Sequence, residues 1–289
     1  MKRGNGLAGV LVLLIAPLLN ADVISTFDSG TDGWTLAPGS FGTLGQSPSG
    51  GNPGGYLKND PTDGGDVAII MAPSPFTGDL RQYDGGTLSF DATMVSRGGS
   101  DYSLFGVITL KSGSDSRELD IVSGAPPLGA WGSYSAPMDA STWGFATDAG
   151  WRTFLAGITE ITIGAEAIFG PEVNGFDNIA LARGPLSIGL TGSCPSALTL
   201  TVRGASRGGD VAIVRAFRTG SQVIPNGYAC AGTTLGLGNT GLDLALVLQA
   251  DATGYASATR AVPAGACGNV VIQALDIDTC ETSNVVAVN

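Results

Sequence analysis

Glycine recurs along this chain from end to end, with 45 glycines and 15 prolines among 289 residues. Inside a helix, glycine costs about 1 kcal/mol relative to alanine and proline about 3 kcal/mol. A chain punctuated at this density does not sustain long helices, and it favours many short strands joined by tight turns. Hydrophobic residues still make up 43% of the chain, while charged residues are only 13%. That balance supplies a core and argues against a disordered polymer.

The sequence contains no histidine. This excludes Ser-His-Asp and Cys-His nucleophile systems, histidine-ligated zinc or haem, and histidine pH switches. Lys2 and Arg3 precede an apolar run from Leu7 to Leu19, and Leu19-Asn20-Ala21 offers a small-residue cleavage site. Residues 1–21 therefore read as a signal peptide, with a retained signal anchor as the competing reading. Its removal takes two basic residues and shifts the net charge from −11 to −13. A secreted or extracellular protein is expected, at the cell surface or beyond it, with no later membrane span. Such an acidic surface makes nucleic acid a poor partner.

All four cysteines, Cys194, Cys230, Cys267 and Cys280, lie in the last third. In an exported chain an even count reads as two disulfides, and no CxxC pair supports zinc. Between Cys267 and Cys280 lies a strand candidate, Val270 to Leu275. Six extended residues span roughly 20 Å, whereas bonded cysteines need Cα atoms within about 7 Å. Of three connectivities the sequential one is therefore disfavoured, and Cys194 with Cys280 and Cys230 with Cys267 are the expected pairs, because each could tie strand ends across a sandwich.

Charge changes where cysteine content does. Residues 22–184 hold 7 basic and 19 acidic side chains, and residues 185–289 hold 5 and 6. The breaker cluster Ala182-Arg183-Gly184-Pro185 marks a boundary, giving units 22–183 and 184–289. In the first, short apolar bursts such as Val23 to Phe27, Thr87 to Met94, Leu104 to Leu110, Ile158 to Ala165 and Phe176 to Leu181 predict an antiparallel jelly-roll sandwich. A turn or two of helix is expected around Trp151 to Ala156. In the second, Ala197 to Val202, Val211 to Phe217, Leu242 to Leu248, Val270 to Leu275 and Val285 to Val288 predict a smaller immunoglobulin-like β-sandwich.

Several phrases of the first unit, in order, carry a family resemblance: Phe27-Asp28-Ser29-Gly30 leading to Gly33-Trp34, Gly51-Asn52-Pro53-Gly54-Gly55-Tyr56-Leu57, Ala72-Pro73 with Phe76-Thr77-Gly78-Asp79, and Tyr83-Asp84-Gly85-Gly86-Thr87-Leu88-Ser89-Phe90. Trp131-Gly132-Ser133-Tyr134, Pro137-Met138-Asp139 and Phe176-Asp177-Asn178-Ile179 continue the series. Together, over roughly residues 27–182, they resemble the laminin IV type (laminin B) domain. The resemblance implies an extracellular β-sandwich of structure or adhesion with no catalytic residues to carry over, related in architecture to carbohydrate-binding jelly rolls. The cysteine-rich modules that flank such domains in laminins are missing here.

Three constellations bear on chemistry. Glu118-Leu119-Asp120-Ile121-Val122 is similar to the carboxylate-bearing strand of jelly-roll glycoside hydrolases, but Val122 and Ser123 stand where a third carboxylate would be needed. Hydrolysis requires an acid at the leaving oxygen as well as a nucleophile, so no enzyme is expected. Aromatic planes stack on sugar rings. Of Trp34, Tyr56, Tyr83, Trp131, Tyr134, Trp143 and Trp151, the expected platform is Trp131, Tyr134 and Trp143, in a Gly/Ser/Pro-rich stretch that reads as surface loop. Finally, a jelly roll sets its first and last strands side by side, bringing Asp28 near Asp177. With Asp60 and Asp63 they form a candidate shell for structural calcium, the alternative being solvated turn-capping aspartates. The expected function is non-catalytic binding or adhesion with a glycan or matrix component as partner. A purely structural surface protein and an unconventional glycoside hydrolase are the alternatives.

Overall fold

The computed structural model describes residues 21–61, 67–102 and 104–289. Residues 1–20 of the expected leader therefore lie outside the described residues, as does Asp63. The chain is all-β. Strands β1 (Ala21–Ser25), β2 (Thr35–Leu36), β3 (Thr43–Gly51), β4 (Gly54–Asp60), β5 (Ile69–Met71), β6 (Thr87–Arg97), β7 (Ser100–Asp101), β8 (Val107–Ser112), β9 (Asp115–Asp120), β10 (Gly132–Pro137), β11 (Ile158–Gly164), β12 (Ile168–Phe169) and β13 (Glu172–Ala182) build the first half. One sheet runs β10-β6-β13-β4-β3, with β1 also paired to β13, and the second runs β2-β5-β11-β8-β9.

Period-two alternation explains how they close on one another. Leu88, Phe90 and Ala92 of β6 point inward, as do Ile108 and Leu110 of β8 and Ile161 and Ile163 of β11. Phe90, Phe105 and Phe176 meet inside, with the rings of Phe105 and Phe176 stacked at 5.3 Å. The helix α1 (Asp148–Leu155) closes one end. Thr147 caps it by accepting from the Gly150 N–H at 3.1 Å, and Trp151, Phe154 and Leu155 form its buried face.

The second half contains β14 (Ser187–Gly192), β15 (Ala197–Arg203), β16 (Asp210–Ala216), β17 (Thr219–Val223), β18 (Thr234–Leu237), β19 (Asp243–Gln249), β20 (Ala256–Ala261), β21 (Val271–Asp276) and β22 (Thr282–Ala287). A three-stranded sheet, β14-β15-β20, faces a four-stranded one, β19-β16-β21-β22, and β17 pairs with β18 as a separate hairpin. This is the immunoglobulin-type sandwich. The buried apolar residues of 27–181 form one cluster, and those of 186–288 form others.

The disulfides differ from the expected pairing: they join Cys194 to Cys267 and Cys230 to Cys280, with Cα separations of 5.7 and 5.3 Å. The reason lies in β20. It pairs with β15, Ala197 opposite Ala261, so the turn preceding β15 meets the connection following β20 at one end of the sandwich. Cys194 and Cys267 sit in those two connections. Cys280, in the β21–β22 turn, meets Cys230 from the loop between β17 and β18.

The two halves are joined by ions. Asp84, its side chain only 1% exposed, accepts from Arg152 of α1 at 3.2 Å and from Arg203 of β15 at 2.9 Å. Arg203 also reaches Asp148 at 2.5 Å. Arg152 donates to Thr253 at 2.9 Å and lies 3.8 Å over the ring of Tyr255. A cleft of about 820 Å³ opens beside this joint, with Phe145, Asp139, Thr199 and Tyr255 among its walls.

Candidate functional site

The outer face of the six-stranded sheet gathers the aromatic and polar groups best suited to meet a ligand. Across three strands, Thr93 of β6, Gly175 of β13 and Lys58 of β4 stand in register. Gly175 has no side chain, and a Cβ there would lie 2.8 Å from Cδ2 of Tyr56. The Tyr56 ring therefore rests on bare backbone instead of standing off the sheet. Trp131 meets it edge to face, with ring centroids 5.7 Å apart, just before β10 begins. The indole N–H donates to the Gly50 carbonyl at 3.1 Å. Beside this corner, Leu128 is 62% exposed and Val95 is also exposed.

One pleat further along, the row turns polar. Ser133, Asp91 and Asp177 are cross-strand neighbours. Asp91 accepts from Ser133 Oγ at 2.6 Å, Asn52 Nδ2 at 3.0 Å and Asn178 Nδ2 at 2.8 Å. Asp177 accepts from the Asn52 N–H at 2.6 Å and from the Asn178 N–H at 2.8 Å. Burial pushes its carboxyl up to about 6; the two amide donors oppose that rise, and the charges of Asp91 and Asp28 add to it.

Of the expected platform, Trp131 and Tyr134 are half-buried, and Trp131 alone joins this face. Tyr134 stands opposite Phe90 and packs toward the core, with ring centroids 5.5 Å apart. Trp143 is not a surface aromatic. It is 2% exposed, stacks on Trp151 at 6.1 Å and donates to the Pro137 carbonyl at 2.9 Å. Its polar neighbours in sequence concealed that the loop folds under α1. Tyr56 takes the partner role instead. Tyr56 and Lys58 alternate with the core-facing Leu57, but nothing in the sequence placed Gly175 beneath the ring or showed that Trp131 and its neighbours leave Tyr56 only 8% exposed.

The expected carboxylate shell divides. Strand β1 does pair with β13, Ser25 opposite Ile179. Asp28 and Asp177 both reach the β3–β4 turn, Asp28 accepting from the Gly55 N–H at 3.2 Å. Asp60 sits at the far end of β4, roughly 20 Å from that turn, and pairs with Lys58 at 3.0 Å. It cannot share a shell with Asp28. Among the described residues no group of three or more acidic or cysteine side chains is placed to hold a metal ion. Glu118 and Asp120 are exposed on the edge strand β9, where Asp120 accepts from the Val122 N–H at 3.1 Å.

No known family's sequence pattern and no curated protein matches the chain. Three solved structures show how far the likeness of fold extends. The L4b domain of human laminin alpha-2 is 18% identical with a TM-score of 0.35, over 40% of this chain and 70% of that one. A family 11 carbohydrate-binding module from Clostridium thermocellum, in complex with a β-1,3-1,4-mixed-linked tetrasaccharide, is 17% identical with a TM-score of 0.38, over 56% and 95%. A β-1,2-glucanase from Parabacteroides distasonis is 14% identical with a TM-score of 0.34, over 91% and 36%.

Proposed function

We propose that the first half of the chain binds a glycan on the outer face of its six-stranded sheet, without catalysis, outside the cell. The observation that carries this is the Trp131–Tyr56 corner set directly beside the Asp91–Ser133–Asn52–Asn178 network. A sugar ring has an apolar face and an equatorial rim of hydroxyls. It fits a site where an indole edge and a phenol adjoin carboxylate, amide and hydroxyl groups already oriented by one another. Two disulfides suit an oxidising exterior compartment. The exposure of Glu118 and Asp120 on an edge strand supports binding over hydrolysis, which needs a desolvated acid.

A screen of the mature chain against immobilised plant, bacterial and matrix polysaccharides tests the proposal. Binding is expected to fall at least tenfold in Trp131→Ala and to be unchanged in Glu118→Gln. Release of reducing sugar that Glu118→Gln abolishes would replace this reading with an enzymatic one. Binding indifferent to Trp131→Ala would move the site elsewhere.

A further inference from the structure

At one end of the jelly roll the inward-facing positions change character. The interior pair Leu57–Phe176 is followed, two residues along each strand, by Asn59 and Asn174, which are cross-strand partners and both 0% exposed. Glu172, 2% exposed, precedes them on β13. The segment from β11 to β12 closes over them. Asn174 Nδ2 donates to the Ala165 carbonyl at 2.8 Å, and Glu172 Oε1 accepts from the Ala167 N–H at 2.9 Å. Between those two alanines, Glu166 is also buried.

After these bonds are made, Glu172 Oε2, Asn174 Oδ1 and both polar atoms of the Asn59 amide have no partner. Leaving such a buried group unpaired costs about 1–3 kcal/mol. Several in one place require an occupant. Three of the four orphans are oxygen acceptors, and the Asn59 amide can turn to present its oxygen. A single water donates to two oxygens at most, whereas one cation can be shared by all three.

We infer that Glu172, Asn174 and Asn59 form a buried oxygen-ligand site for a hard divalent cation, with calcium as the ion. Calcium takes six to eight oxygens in a flexible geometry, drawn from carboxylates, amide and backbone carbonyls and water. Glu172 brings a carboxylate, and the two asparagines bring amide oxygens. This site is at the opposite end of β4 from the β3–β4 turn where Asp28 and Asp177 meet, and it uses none of the carboxylates that the sequence nominated.

The test uses the mature chain stripped with chelator and titrated with calcium chloride. One calcium per chain is expected by calorimetry, with a rise of ~5 °C in the thermal midpoint. Glu172→Gln is expected to abolish both effects, while Asp177→Asn retains them. Crystals of the unmutated chain soaked in terbium guard against misfolding of the variant, and an anomalous peak is expected between Glu172 and Asn174. No calcium response, or ordered water in place of the peak, overturns the inference. So does a response lost in Asp177→Asn and kept in Glu172→Gln.

Discussion

Trp131 donates its indole N–H to the carbonyl oxygen of Gly50 across 81 positions of sequence. This bond pins the start of β10 to the β3–β4 hairpin and fixes the angle at which Trp131 meets Tyr56. An aromatic held in this way loses little rotamer freedom when a ligand arrives, which favours affinity.

Gly175→Ala is expected to weaken glycan binding severalfold without unfolding the chain. The new methyl would meet Tyr56 Cδ2 at 2.8 Å and Thr93 Cγ2 at 3.0 Å, so the ring must shift and its edge-to-face contact with Trp131 changes. Affinity measured beside the thermal midpoint checks this, because an unchanged affinity would mean that Tyr56 takes no part.

Trp143→Ala and Trp131→Ala should separate stability from binding. Removing Trp143 from between Trp151 and the Pro137 carbonyl is expected to cost about 3–5 kcal/mol, as for other buried aromatics. Trp131 is half-buried on the surface, and its loss should cost less than about half of that. Urea titration of both variants measures the contrast.

Asp84→Asn is expected to loosen the joint between the halves. It removes the buried carboxylate that Arg152 and Arg203 share and leaves them Asp251 and Asp148 as partners, so the cost is expected to be about 1–3 kcal/mol. Calorimetry should then resolve two unfolding transitions, and small-angle scattering should show a larger radius of gyration.

Asp177 makes stability depend on pH in an unusual direction. Its folded carboxyl titrates at about 6, against 3.8 for an ordinary aspartate, so between those values the native state holds more protons than the unfolded chain. The contribution is complete below pH 3.8 and is lost as pH rises through 6. Asp79, Asp139 and Asp251, whose carboxyls are lowered, act with the opposite sign and below the ordinary value. Urea midpoints are therefore expected to fall between pH 4 and 6.5, and Asp177→Asn should flatten that slope.

Local alternation made the larger part of the fold legible. Where a strand buries one face, as in Thr87 to Met94 or Val211 to Phe217, the period-two pattern is written in side chains. Strand β20 carries Ala-Ser-Ala-Thr-Arg-Ala and little apolar signal, so its pairing with β15 was invisible, and the disulfide connectivity went with it. Trp143 misled for a related reason: its Gly/Ser neighbours describe the loop's backbone and not the α1 face it packs against. Asp91 and Gly175 contribute to the candidate site only through β-sheet register, which sequence spacing alone does not reveal. The inward Asn59, Asn174 and Glu172 interrupt no alternation rule strongly enough to be noticed before their strands are set side by side.

The carboxylate of Asp84 sits where one arginine from each half converges, out of reach of the counter-ions that fade surface pairs within about 10 Å at 0.1 M salt. Raising ionic strength will therefore not free the halves from one another. Anything fastened to the second sandwich keeps a set bearing toward whatever lies on the first, and the chain works as a bracket, with no play of a tether.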